Sequence, residues 1–340
     1  MAPSHRGCSM LPPLAAALGP GTTVRTQVCV EDPESGQQVR IPFIVARGAE
    51  DGPTLCLLAA QRGLDMNGTA ALHLALPRLD LTRLSGTIIG APVANPPAAR
   101  IKRHAFPSDD GWPRACLHDM NATWPGDAEG TLTERMAAAI WEQCIESAHA
   151  VVDLHSSPSS RGAMTLVRAT SDASMACAKA FGIPHVQVTR EIDRRALYDV
   201  AARQGKAAIE VRLPPPGAIA PDSVRLALTG TRNVLVELHM TDRGARAGET
   251  AFVLPESELR AWHAPTDGVV LSHVDPGSIV QEGALIAELL SLHTAEVAAE
   301  AIAPFRGVVT LLGCAADPAG RATDLVAQGE LYAQVARCDL

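Results

Sequence analysis

The stretch LLAAQRGLDMNG, residues Leu57 to Gly68, decides the fold. An unbroken apolar run that begins at Pro53 ends here in a polar turn carrying Arg62, Gly63, Asp65 and Asn67. A short continuous apolar run is the signature of a strand covered on both faces. The segment NGTAALHLALPRL that follows has the spacing of a helix. Open α/β sheets bind their ligands at strand ends of this kind.

Working outward, TTVRTQVCV and QQVRIPFIVAR alternate polar and apolar residues around the turn EDPESGQ, which predicts a β-hairpin. GTIIGAPVA is the next buried strand, and an irregular polar region runs from Asn95 to Gly126. TLTERMAAAIWEQCIESA predicts a helix capped by Thr133. HAVVDLHS returns as a strand that ends in Asp153 and His155. MTLVRAT, HVQVTR and AAIEVR supply further strands, and PDSVRLALTGTRNVLVELHM a further helix. Strands alternating with helices predict a mostly parallel sheet with helices on both faces.

The texture changes after about Phe252. HAPTDGVVLSHVDPGSIVQEGALIAELL and the segment from Ala301, AIAPFRGVVTLLG, are two versions of one pattern: Ala-Pro, two residues, Gly-Val-Val, a turn and a strand. Two such halves predict a small all-β barrel-sandwich domain of the biotinyl/lipoyl-carrier type. Its carriers present a modifiable lysine, and Lys102, Lys179 and Lys206 are the only lysines of this chain. A swinging-arm role is therefore not expected; a structural cap or lid is. The organisation expected is a leader over 1–23, an α/β catalytic domain over 24–252 and the β domain over 253–340.

Of the 340 residues, 47% are hydrophobic and 19% charged, so a packed core is expected and wholesale disorder is not. A net charge of −8 argues against nucleic acid or an anionic membrane as partner. The eight cysteines form no C-x-x-C pair, as in a reduced cytosolic protein. The N-terminal apolar patch is broken by Pro12 and Pro13, unlike the core of a signal peptide, and no run approaches the ~20 residues of a membrane span. The expectation is a cytoplasmic protein acting on a small-molecule substrate, with self-association into a homo-oligomer left open.

The order of motifs RGLDMNG (62–68), NPPAAR (95–100) with Arg103, DMNATWPG (119–126), TLTERMA (131–137), DLHSS (153–157) and AIEVR (208–212) resembles the succinylglutamate desuccinylase/aspartoacylase family. The resemblance runs from about residue 24 to the end. It implies a carboxypeptidase-like mostly parallel sheet flanked by helices, and a hydrolase that cleaves the amide of a small N-acylated amino acid or related amine. It further implies a catalytic zinc, which takes three protein ligands and keeps a position for water. That water ionises near pH 7 and the metal polarises the carbonyl. Positions 62, 65 and 155 would be the ligands and Glu210 the proton shuttle. Arg103 and Asn121 would hold a substrate carboxylate, and Asn67 is grouped with them.

Three positions depart from the family's pattern. Position 62 is Arg in place of His, and a guanidinium has no lone pair to give a metal. Position 65 is Asp in place of Glu, and position 122 is Ala in place of an Arg. Zinc on Asp65 and His155 is therefore in doubt. Arg62 either fills the vacated site by pairing with Asp65, or presents a fixed cation to an oxyanion or carboxylate, or is merely solvated. Asp65 either lines the pocket or caps the helix behind it. Glu210, on an otherwise apolar strand, needs a cation, a metal or a proton to carry. His104 and His118 are the candidates for a replacement ligand, and Trp124 reads as a packing anchor. Two other functions stay open: a metal-independent enzyme of a biosynthetic pathway using Arg62 in place of the metal, and a non-catalytic binding or regulatory protein.

Overall fold

A computed structural model describes residues 14, 18–102, 119–156, 164–188, 195–242, 252–255, 258–313 and 324–338. The hairpin forms as expected from β1 (Thr22–Glu31) and β2 (Gln38–Arg47), paired antiparallel over their whole length. The deciding stretch places β3 (Glu50–Ala59), then the turn, then α1 (Met66–Ala75). Then follow β4 (Ser85–Ala91), α2 (Pro96–Ile101), α3 (Leu132–Ile140), β5 (Ala150–His155), β6 (Leu166–Ala169), α4 (Asp172–Phe181) and β7 (His185–Val188). The α/β part closes with α5 (Leu197–Arg203), β8 (Ala207–Arg212), α6 (Pro221–Glu237) and β9 (Phe252–Pro255).

These strands make one nine-stranded sheet in the order β1-β2-β4-β3-β5-β8-β6-β7-β9. The run β4-β3-β5-β8 is parallel throughout, and β6 joins β8 antiparallel. A strand so placed must be apolar on both sides, and residues 55–60 are all fully buried. One face packs on α3 and α5 through Met136, Ile140, Leu197 and Ala201; the other packs on α1, α4 and α6 through Leu72, Phe181 and Val234. Gly68 lets α1 lie directly on the sheet, since a Cβ there would come within 2.7 Å of the Leu154 Cβ.

One expectation needs correction. The cap of α3 is Thr131, not Thr133: Thr131 and Glu134 satisfy each other's backbone N–H groups in a capping box, and Thr133 is buried within the first turn. The last strand of the sheet, β9, pairs in parallel with β7 as far as Pro255.

Beyond β9 come β10 (Leu259–His263), β11 (Gly268–Ser272), β12 (Ile279–Val280), β13 (Leu285–Ser291), β14 (Val297–Ile302), β15 (Gly307–Leu312), β16 (Leu325–Val326) and β17 (Leu331–Arg337). They form two antiparallel four-stranded sheets, β10-β17-β15-β12 and β14-β13-β11-β16. The two Gly-Val-Val segments start β11 and β15, one in each sheet, around a shared core that includes Val270, Leu289, Val309 and Tyr332. This unit docks on the α/β sheet where Met164, Leu166 and Leu254 meet Val308 and Ala336. Among the described residues no helix is long and apolar enough to cross a membrane.

Candidate active site

The candidate residues gather at the carboxyl ends of the parallel strands β3, β5 and β8, the end at which open α/β sheets bind their ligands. Side chains two apart on a strand share a face, so Asp153 and His155 on β5 stand together, as do Glu210 and Arg212 on β8. Register then lines up Asp153, Glu210 and Arg168 as neighbours across β5, β8 and β6.

His155 is fully enclosed and bonded at both ring nitrogens. Its Nδ1 lies 2.9 Å from Asp65 Oδ2 and its Nε2 lies 2.8 Å from Asp153 Oδ2. The other Asp65 oxygen accepts the Ser156 backbone N–H at 2.9 Å. Asp65 stands at the N-cap position of α1 but makes no side-chain cap bond, so its carboxylate serves the pocket and not the helix. Burial opposes a charge on His155, yet Asp153 and Asp65 outweigh it and push its pKa up to about 10. An imidazole with acceptors at both nitrogens is a protonated imidazolium at neutral pH. Asp153 itself is pushed up by burial, with His155 only partly offsetting this.

Arg62 does not pair with Asp65. It grips Asp119, with one terminal nitrogen at 2.8 Å and Nε at 3.3 Å from both oxygens. Asp119 Oδ1 also accepts the Asn121 N–H, which holds the turn at residues 120–122. Burial works against the Arg62 charge, but Asp119 more than restores it, so the group stays protonated under all ordinary conditions.

Glu210, a carboxylate on an otherwise apolar strand, is met by cations. Arg212 Nε donates to Oε1 at 2.9 Å, Arg168 approaches the same oxygen at 3.5 Å, and Asn121 Nδ2 donates to Oε2 at 3.3 Å. Burial alone would raise its pKa; Arg168, Arg212, His155 and Arg62 together hold it well below the usual carboxylate range. Arg168 is in turn stacked 4.9 Å from the centre of the buried Tyr198 ring.

Asn67, expected among the substrate contacts, is fully buried with its amide committed. Nδ2 donates to the carbonyls of Leu213 and Pro215, and Oδ1 accepts the Ala220 N–H at 2.8 Å. It ties α1 to the loop after β8. Asn121 links Glu210 to the Leu197 N–H at the start of α5. Trp124 is buried against Trp141 and donates to Gln61 Oε1 at 2.8 Å. Arg103, His104 and His118 lie outside the described residues. Asp119, Arg168 and Arg212 were missed from the sequence. The signal for the last two was present, since a charge inside an apolar strand needs a partner.

A metal must find free lone pairs. Among the described residues, one ligand atom each of Asp153, His155 and Glu210 lie within 4.8 Å of one another. Each has one ligand atom taken up, the first two by each other and Glu210 by Arg212, while Asp153 Oδ1 is buried without a hydrogen-bond partner among the described residues. Asp65 and His155 likewise face each other at 2.9 Å across a hydrogen bond. Two ligands of one tetrahedral zinc would stand about 3.4 Å apart with the metal between them. The donor set does not fit the site that the resemblance implies.

A mostly parallel α/β sheet, with acids, a histidine and arginines converging at its strand ends and a two-sheet β domain joined to it, places its polar cluster where open α/β sheets bind ligands. Residues 51–238 match the catalytic domain of the succinylglutamate desuccinylase/aspartoacylase family, and the chain belongs to that family. It is accordingly an amide-cleaving deacylase. It is 28% identical over 271 residues to the N-alpha-acetyl-L-2,4-diaminobutyric acid deacetylase of Halomonas elongata, covering 76% of this chain and 77% of that one. The product-bound ectoine utilization protein EutE (DoeB) of Ruegeria pomeroyi superposes with a TM-score of 0.78 at 26% identity, covering 92% of this chain and 94% of the other. A succinylglutamate desuccinylase from Silicibacter sp. TM1040 superposes equally, with a TM-score of 0.78 at 25% identity over 93% and 95% of the two chains.

Proposed function

We propose that this deacylase hydrolyses a short N-acylated amino acid, of which N-acetyl-2,4-diaminobutyrate is the first to try, without a bound metal. The observation that carries the reading is the closed Asp65–His155 contact beside an arginine at position 62. Charge supports it. Zinc with two neutral histidines and a carboxylate totals one positive charge. Arg62, ionised Asp65 and protonated His155 total the same. A second cation about 4 Å from Arg62 would be repelled by roughly 4 kcal/mol at an effective dielectric of 20.

In this reading Arg62, held by Asp119, faces the carbonyl oxygen as a fixed donor and stabilises the charge that develops there. Glu210 stays ionised and orients the attacking water. As the water's proton becomes acidic in the transition state, Glu210 takes it up and passes it to the departing nitrogen. Asn121 keeps the Glu210 carboxylate aimed. Arg103 remains the candidate for the substrate carboxylate.

The test is release of acetate from N-acetyl-2,4-diaminobutyrate in excess chelator. Turnover unaffected by the chelator, and reduced 10²-fold or more in Arg62→Ala, is the expected result. Turnover that stops with chelator and returns with zinc would overturn the metal-free reading. No turnover of any N-acylated amino acid, with the ligand still bound, would favour the binding-protein alternative.

A further inference from the structure

At the opposite end of α1 from Asp65 lies a second cavity of about 760 Å³. It opens between the end of α1, the short turns Leu76–Arg78 and Leu81–Arg83, and α6. Its floor includes Leu76, Leu84, Ile88 and Leu235, each at most 4% exposed. Leu84 immediately precedes β4, whose first residue pairs with the start of β3, so the cavity sits at the amino ends of the strands. The candidate catalytic residues sit at their carboxyl ends. The cavity is therefore a separate place, with a size in the range of small-molecule sites.

The rim is unequal in charge. Of its two acids, Asp80 spends its carboxylate on Thr82, accepting from the backbone N–H and the hydroxyl, and Asp242 pairs with Arg83 at 3.5 Å. Among the described residues Arg78 reaches only the Leu74 carbonyl, at 3.5 Å. Arg232, one turn beyond Leu228 on α6, has no hydrogen-bond or ion-pair partner among the described residues. Two guanidinium groups with donors to spare thus overhang an apolar floor, on a protein whose net charge is −8.

We infer that this cavity binds an amphipathic carboxylate, its hydrocarbon body on the leucine floor and its head between Arg78 and Arg232. The chemistry of each half is specific. Guanidinium forks match a carboxylate in two-point geometry, and a hydrocarbon gains roughly 25 cal/mol for each Å² it buries. Neither an inorganic anion nor a cationic amphiphile satisfies both halves.

The experiment is calorimetric titration of the full chain with decanoate, kept below its micelle concentration, beside decylamine and inorganic phosphate. Saturable one-to-one binding of decanoate, weakened at least tenfold in Arg232→Glu and in Arg78→Glu, is the expected result, with decylamine and phosphate far weaker. Both arginines are exposed, so the variants should melt like the parent, and a thermal scan verifies this. Absence of saturable decanoate binding would overturn the proposal. So would equal binding by decylamine or phosphate, or undiminished binding by both variants. Because the site is remote from Arg62, decanoate should still bind to Arg62→Ala. The result is independent of whether deacylation needs a metal.

Discussion

Arg62 and Asp119, 57 positions apart in the chain, form a two-point ion pair with a closest approach of 2.8 Å. Both side chains are mostly buried, so each leaves a stranded charge when the other is removed. Arg62→Ala and Asp119→Ala should each destabilise the fold by about 3 kcal/mol. The double variant should cost much less than the sum of the two. A denaturant-melt cycle measures the coupling, and simple additivity would show the pair to be incidental.

His155 makes stability depend on alkaline pH. The folded protein holds its proton up to about 10, against 6.5 for an ordinary histidine. Its contribution is therefore complete below about pH 6.5 and is lost as pH rises through 10, with a slope of up to about 1.4 kcal/mol per pH unit. Urea melts from pH 6 to 10 should show this decline, and His155→Asn should flatten it. A parent curve already flat across that window would mean His155 is neutral in the fold.

Asn67 should prove a strut. Asn67→Ala strands the Leu213 and Pro215 carbonyls and the Ala220 N–H, at a cost of about 3 kcal/mol. The folded fraction should keep the parental KM. A large rise in KM with an unchanged melt would return Asn67 to the substrate.

Glu210→Gln tests charge as much as chemistry. The amide fills the same volume but leaves Arg212 and Arg168 without their shared counter-charge. A loss of about 3 kcal/mol is expected alongside a 10²- to 10⁴-fold loss of rate. A parental melt together with parental turnover would contradict both roles.

Much of this architecture is legible in the residues. The run from Pro53 to Ala60 and the helical spacing after Asn67 place β3 and α1, and two Gly-Val-Val segments announce the two small sheets. The cap of α3 was legible too: threonine and glutamate three apart, at 131 and 134, is a capping box, and Thr133 misled because it also suits a cap. The site was harder. Asp153, Glu210 and Arg168 become neighbours because β8 inserts between β5 and β6, out of chain order, and no local pattern encodes that register. The partner of Arg62 was hidden for the same reason: Asp65 is three residues away, yet the turn sends the guanidinium to Asp119 and leaves Asp65 to His155. The proton affinity of Glu210 follows from cations on its own strand, on two neighbouring strands and in a turn, which outweigh its burial.

In the proposed metal-free site, Arg62 and protonated His155 stand where the resemblance implies a metal. Elemental analysis of the purified chain, expressed with added zinc and dialysed without chelator, tests it most directly. Well under a tenth of a zinc per chain is the expected result, in protein that still deacylates its substrate. One zinc per chain, lost together with activity in His155→Asn, would contradict it.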